Sequence, residues 1–412
     1  MDKKILVSSL AAALMAGLTA CGGGGGGYAG SSSGTTRVVT GAITAFGSVY
    51  VNGERFDTSS SSVYVEDSAA SEKDLRVGMT VTVKSSSAGA ADSIHFDDDA
   101  EGIVTSTAIL ADNTGTLEVM GQTVTVDSKT IFEGKGVITQ ASEIVAGNIV
   151  EVSGSSSGTG SVLATRLEVK AVDLATYLVD HPNGVEVKGI VKNHFVGSET
   201  FEIGSMTVTY TGAIIDDSMP AGSWDGKYVE VKSTEGIVAG KLVASKVELE
   251  DGGSKGEHEA EDEVEVKGAV SAVDASSITV NGHTFQVTAS TVLDAGKTLA
   301  DIKVGMVVEV EGSADASGQL IARKIELEDH DEAAELEVKG TVDSVTATSA
   351  NEGTVVVGGA TYKVTASTIM HDSATHDTSF NLSKLVAGDY VEIHYADISG
   401  VLTAVKLERK TP

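Results

Sequence analysis

The sequence predicts an all-β chain built as a tandem array of five small five-stranded domains. Three observations lead there. Gly is frequent at 47 of 412 residues and Pro rare at 3, while Val, Thr, Ser and Ile dominate between turn residues, a composition suited to short strands and tight turns. One order of elements recurs five times, and its strand segments alternate apolar and polar residues. A chain of 412 residues also exceeds the size one core serves, so several domains are expected.

The first element is a leader. Residues 1–20 carry Lys3 and Lys4, an apolar stretch from Ile5 to Leu18, and small residues before Cys21, which is the pattern of a secretory signal peptide. Leu18-Thr19-Ala20-Cys21 resembles the lipobox of bacterial lipoproteins, in which the cysteine takes a diacylglycerol and becomes the new N-terminus. Cys21 is the single cysteine, so no intramolecular disulfide is available. Residues 21–36 follow as the lipidated Cys and a Gly/Ser tether, with six glycines from Gly22 to Gly27. A buried structural cysteine would leave that glycine run without a role. In a Gram-negative host, the sorting pattern of such lipoproteins implies the outer membrane, because Gly22 and not Asp follows the cysteine.

The repeats come next. Three units open on VEVKG (185–189), VEVKG (264–268) and LEVKG (336–340), and two on the weaker RVVTG (37–41) and DAEGIV (99–104). Each opening leads into a strand, a glycine turn and a strand, as in SVYVNGERFDT (48–58) and SITVNGHTFQV (277–287), the pattern of a hairpin. A polar middle, with room for a helical turn, then reaches a glycine before a fourth strand, as in LRVGMTVTV (75–83), IVAGNIVEV (144–152) and IKVGMVVEV (302–310). A fifth strand closes each unit, as in ATRLEVK (164–170) and ARKIELE (322–328). Five strands with an insert after the third match the element order of an OB-like β-barrel. A small antiparallel sandwich or an SH3-like barrel would leave nearly the same alternation.

The boundaries follow from charge and loop signals. They give repeat 1 at 37–98, repeat 2 at 99–170, a linker at 171–184, repeat 3 at 185–251, an acidic linker at 252–263, repeat 4 at 264–328, an acidic linker at 329–335 and repeat 5 at 336–412. The linker 171–184 holds Pro182 and has room for one short helix before it. In repeat 4 the alternation assigns Val266, Ile278, Val280, Phe285, Val287, Val308, Val310, Ile321, Ile325 and Leu327 to the core, with Glu265, Lys267, Glu309 and Lys324 facing water.

GAITAFGSVYVNGERFDTSS (41–60) with DLRVGMTVTV (74–83), and GAVSAVDASSITVNGHTFQV (268–287) with DIKVGMVVEV (301–310), resemble a bacterial family, the domain of unknown function 5666. Its members are often lipoproteins with tandem copies. The likeness extends over nearly all of 37–410, and the second and third units depart from it at Gly121 and at Trp224-Asp225. The resemblance implies no activity.

The sequence carries few residue patterns that specify chemistry. Two G-x-S-x-G strings, 30–34 and 154–158, lie in the tether and in a serine-rich loop, whereas a nucleophile elbow needs a strand-to-helix turn in an α/β sheet. Carboxylates gather at three junctions: His95 to Glu101, Glu257-His258-Glu259 with Glu261, Asp262 and Glu263, and Asp329-His330-Asp331-Glu332. Hard cations such as Ca²⁺ want several oxygens at one point, but no EF-hand loop is present, and a solvated acidic linker is the simpler reading. Nine histidines include neither an HExxH pair nor a Cys/His cluster; His371 and His376 are expected to be exposed. Phe46, Tyr50, Phe56 and Tyr64 form the densest aromatic group and suit core filling as well as a ligand platform.

A net charge of −30 disfavours nucleic acid. The expectation is a non-enzymatic cell-envelope lipoprotein, an outer-membrane protein held to the membrane through lipid on Cys21, without a cofactor. Its repeats would act as a spacer or protein-binding array toward envelope proteins. Ca²⁺ or small-ligand binding at the acidic junctions is the alternative.

Overall fold

The computed structural model describes residues 36–412, apart from 67, 157–158, 251–261, 295–296, 328–335 and 399. Within them the chain is all-β, with one short α-helix, Leu174–Asp180. That helix lies in the linker before Pro182, and the Asp173 side chain caps it by accepting from the Thr176 N–H. Cys21, the leader and the tether lie outside the described residues, as do most of the acidic segments 252–263 and 329–335.

The fourth unit shows how the alternation folds. Strand Glu263–Val273 pairs antiparallel with Ser277–Val280 and with Val307–Ala314. Ser277–Val280 turns back into His283–Gln286, which runs parallel to Leu320–Leu327, and that strand returns antiparallel to Val307–Ala314. Five strands therefore hydrogen-bond in a closed circuit, which leaves few unpaired edges. The second unit and the fifth close in the same order. In the third the last strand is split into Lys241–Val243 and Lys246–Leu249, each taking one of the two pairings. In the first a single bridge, Asp57 with Ala90, stands in for the parallel pair.

Two sequence signals turn out to be one contact. Asn281 and Gly282 both adopt positive φ, 46° and 78°, the hairpin turn that Asn-Gly favours. The Asn281 side chain folds over Gly268 and donates to the Lys267 carbonyl at 2.9 Å. A Cβ on Gly268 would stand 2.6 Å from that amide, so the glycine of the opening motif makes room for the turn. Just beyond it the register shifts between Val270 and Ala272, a bulge that lets one strand bend and serve two neighbours.

The structure adds a short strand after the third in each unit, such as Ile131–Glu133, Val292–Leu293 and Ile369–Asp372, running parallel to the last strand. In these three the threonine before the short strand donates its hydroxyl to an alanine carbonyl of that last strand: Thr130 to Ala164, Thr291 to Ala322, Thr368 to Ala404. Of the core expected in the fourth unit, Val266, Ile278, Val280, Phe285, Val308, Val310 and Ile325 are buried, and Val287 and Leu327 partly so. Ile321 is not in the core. A bulge between Glu311 and Gly312 shifts the alternation, so Leu320 and Ala322 point inward instead.

The units are packed together. The first runs its opening strand parallel to that of the fourth, Arg37 opposite Glu263 through Thr40 opposite Val266. It also takes Ile131 of the second into its own core and lends Ala45 and Tyr50 to the core of the fifth. The second and third join through Glu186 opposite Glu101.

Candidate functional site

The site grows from the junction of the first two units. Alternation along Ser93–Phe96 and Ala100–Ile109 continues through Asp97-Asp98-Asp99, so Phe96, Asp98 and Ala100 all turn inward. The Asp98 side chain is 2% exposed, and its backbone N–H donates to Glu66 Oε1 at 2.7 Å. Lys188 arrives from strand Val185–Phe195 of the third unit. Its Nζ donates to the Asp98 carbonyl and to Glu66 Oε2, both at 3.2 Å, and stands 3.6 Å from Asp98 Oδ1 and from Glu186 Oε1. Gln122 of the second unit holds the same stretch of backbone by donating to the Lys188 carbonyl at 2.9 Å.

Burial and charge decide where protons sit. Burial lowers the Lys188 pKa, but Asp98, Glu66 and Glu186 more than reverse it, so the ammonium persists. Burial pushes Asp98 well above the usual carboxylate range, with Glu66 and Glu186 adding to it. Burial also lifts Asp99 to about 7, Glu101 to about 7 and Glu230 to about 8. Glu186 goes the other way: burial raises it, yet Lys188 and Lys232 bring it down to about 2. The junction thus holds its charge by mixing ammonium groups with protonated carboxyls.

Four groups of three ligand-type side chains lie close together among the described residues: Glu66, Asp98 and Glu186; Asp98, Glu101 and Glu151; Glu309, Glu311 and Glu326; Glu337, Glu392 and His394. A lysine stands at each. Lys188 serves the first, Lys170 the second at 2.8 Å from Glu151, Lys324 the third at 2.7 Å from Glu326 and Lys339 the fourth at 2.8 Å from Glu337. A divalent cation at any of them would have to displace an ammonium the chain itself supplies.

Beside Lys188 opens a cleft of about 300 Å³ to which four units contribute, among them Thr82 and His95 of the first, Asp99 of the second, Tyr228 of the third and His283 of the fourth. Most of the residues that line it carry polar side chains, and the chemistry they offer is hydrogen bonding to hydroxyls, carboxylates and imidazoles.

The profile of the family described as a domain of unknown function (DUF5666) matches residues 38–91, 101–168, 250–326 and 339–408. These segments take in more than half of the chain. The chain belongs to this family. The DUF5666 matches fall on the first, second, fourth and fifth units; the third closes the same strand circuit without a match of its own. No curated protein matches the chain. Two solved structures are similar in part: Drosophila Unr CSD456, at 12% identity over 54% of this chain and 96% of that one with a TM-score of 0.14, and a multidomain protein with nucleic acid binding domains from Streptococcus pneumoniae TIGR4, at 10% identity over 55% and 73% with a TM-score of 0.15.

Other sequence-predicted residues of the DUF5666 units find structural places. Of the two G-x-S-x-G strings, the first lies outside the described residues, and so do Ser157 and Gly158 of the second. Ser155 pins the second unit to the fourth, accepting from the Ala269 N–H at 2.7 Å and donating to the Ala269 carbonyl at 3.3 Å. The junction expected to be a solvated linker is buried at Asp98, because the third unit closes over it. The acidic runs Glu257 to Glu261 and Asp329 to Glu332 lie outside the described residues. His376 is exposed as expected, but the His371 side chain is 12% exposed, held between Glu133 and Glu408. Phe46, Tyr50 and Phe56 are core residues, and Tyr64 stacks on His95.

Glu66, Lys188 and Glu186 were not legible as a site. The alternating Glu-x-Lys of VEVKG was visible, but it reads as a solvated face, and in the third unit the first unit and the junction bury its lysine. The tightest aromatic group also lies elsewhere than expected, where Trp224 stacks on His194 at 4.4 Å with Phe201 and Tyr210 beside them.

Proposed function

We propose that the chain is a non-enzymatic cell-envelope lipoprotein, anchored in the outer membrane by lipid on Cys21, whose five units are OB-like barrels packed into one rigid binding head. The carrying observation is that the first unit touches each of the other four, through Arg37 and Glu265, Ile131, Lys188 and Glu66, and Asn351 donating to the Phe46 carbonyl at 3.3 Å. A spacer gains length by keeping its domains in a row; contacts of this kind shorten the reach and hold surfaces of different units at fixed distances. That supports binding over spacing.

The strand order supports the barrel reading, since a circuit with the third and fifth strands in parallel is the Greek-key order of an OB-like barrel. Among the described residues no helix is long and apolar enough to cross a membrane, and the lipid on Cys21 is the proposed hold. Envelope proteins are the proposed partners. The charge of −30 supports leaving nucleic acid out, and carboxylates matched to ammonium groups support binding over catalysis.

Two measurements on the exported Cys21→Ser chain test this. It should leave the membrane fraction. In solution its scattering should give a radius of gyration of about 21 Å, enlarged only by the tether, against roughly 40 Å for five separate domains in a row. Retention in the membrane pellet would sink the anchor, and an extended particle would sink the rigid head.

A further inference from the structure

The turn before the fourth strand occurs five times, and only two copies read Val-Gly-Met: Val77-Gly78-Met79 and Val304-Gly305-Met306. The others read Ala146-Gly147-Asn148, Asp225-Gly226-Lys227 and Ala387-Gly388-Asp389. The two matching copies have the same build. Ser71 and Thr298 cap the preceding turns through Asp74 and Asp301, the glycine φ values are 88° and 91°, and the Arg76 and Lys303 N–H groups donate to Met79 and Met306 sulfur at 3.2 and 3.3 Å. A positive φ makes glycine the residue of choice at the centre of both.

Their surroundings differ. In the first unit this turn is covered by the second. A Cβ on Gly78 would stand 3.0 Å from Arg166 Cβ and 3.2 Å from Ile131 Cβ. Thr165 donates its hydroxyl to the Gly78 carbonyl at 2.6 Å, and Val77 and Met79 are 7% and 5% exposed. In the fourth unit no described residue lies within 4 Å of the corresponding point on Gly305, and Val304 and Met306 are 60% and 37% exposed. The same shape is filled once and open once.

The side that fills it is also duplicated and also open. Val292 stands where Ile131 stands, after a threonine bonded to the last strand, and pairs with Lys324 as Ile131 pairs with Arg166. Val292 is 60% exposed, and the Arg323 and Lys324 side chains are 46% and 39% exposed. Where Arg166 reaches the Val77 carbonyl, Lys324 is the cation in the matching place.

We infer that the fourth unit is a self-association surface, on which Val304-Gly305-Met306 of one copy receives the Val292, Arg323 and Lys324 face of a second copy of this chain, repeating the contact that joins the first two units. The occupant follows from an interface the chain already makes with itself: both halves recur in the fourth unit, and neither is covered by the described residues. Apolar side chains around an open backbone turn, with a cation to meet a carbonyl, are the same complementary parts.

Sedimentation velocity of the full chain in a non-ionic detergent, over a range of protein concentrations, tests this. The wild type should form larger species as concentration rises. Val304→Lys, which sets a like charge against Arg323 and Lys324, and Val292→Glu, which places a charge in the apolar part of the contact, should each weaken association by about tenfold or more. Both positions are solvent-exposed, so the unfolding midpoint should not move. A wild type that stays a single monomeric species throughout, or association that survives both substitutions undiminished, would overturn the inference.

Discussion

Lys188 Nζ of the third unit lies 3.2 Å from the Glu66 carboxylate of the first, 122 residues away in sequence. The same ammonium meets Asp98 and Glu186, so one side chain ties three segments together. Removing it would leave buried carboxylates without a counter-charge. Lys188→Met should therefore cost about 3–5 kcal/mol of stability, read as a lower midpoint in chemical denaturation. A midpoint equal to the wild type would show that the cluster does not hold these units together.

Calcium gives the complementary reading. In the wild type millimolar Ca²⁺ should leave the thermal midpoint unchanged, because lysines stand at all four carboxylate groups described above. In Lys188→Met the cage of Glu66, Asp98 and Glu186 is vacated, and a hard cation suits its oxygens. Saturating Ca²⁺ at about a hundredfold over its Kd would return about 2.7 kcal/mol. A chelator-sensitive shift in the wild type would instead favour a native calcium site.

The raised carboxyls set a pH dependence. Asp99 and Glu101 titrate at about 7 and Glu230 at about 8, burial being the main cause in each. In the unfolded chain such groups titrate near about 4. Between those values the folded protein holds more protons than the unfolded one, so stability falls as pH rises. Their contribution is fully present below about pH 4 and lost as pH climbs through 7 to 8. Unfolding midpoints measured from about pH 5 to 9 should decline, and Glu230→Gln should flatten the slope. A profile rising toward pH 9 would contradict it.

His194 and Trp224 offer an optical probe, since Trp224 is the single tryptophan. The Trp224 backbone N–H donates to His194 Nδ1 at 2.9 Å, which needs the neutral ring. Burial lowers the His194 pKa. The stabilisation, about 1 kcal/mol for one such bond, is therefore present above the unfolded histidine value near about 6.5 and lost as pH falls through the folded one. Acidification should change Trp224 fluorescence with a midpoint below that value, and His194→Gln should abolish the titration. Fluorescence insensitive to pH in the wild type would count against the stacked pair.

Much of each unit was written in its own residues. Alternation placed Val266, Ile278 and Val310 in a core and the Asn281-Gly282 pair marked a hairpin, because these signals act between neighbours on adjacent strands. Ile321 was misread for a reason equally local: a bulge opposite Gly312 reverses inward and outward, and sequence alternation does not announce where a bulge falls.

The candidate site is of another kind. Lys188 and Lys267 occupy the same place in VEVKG, yet the first is 6% exposed and the second 28%. The sequence alone determined that a lysine stands between alternating carboxylates on the outer face of a strand. The tertiary structure decided which copy was covered, since burial depends on which unit packs against that face. That choice is made by contacts among distant segments, Ile131 on Gly78 and Glu66 on Lys188. No local pattern encodes these contacts, because every unit repeats nearly the same pattern.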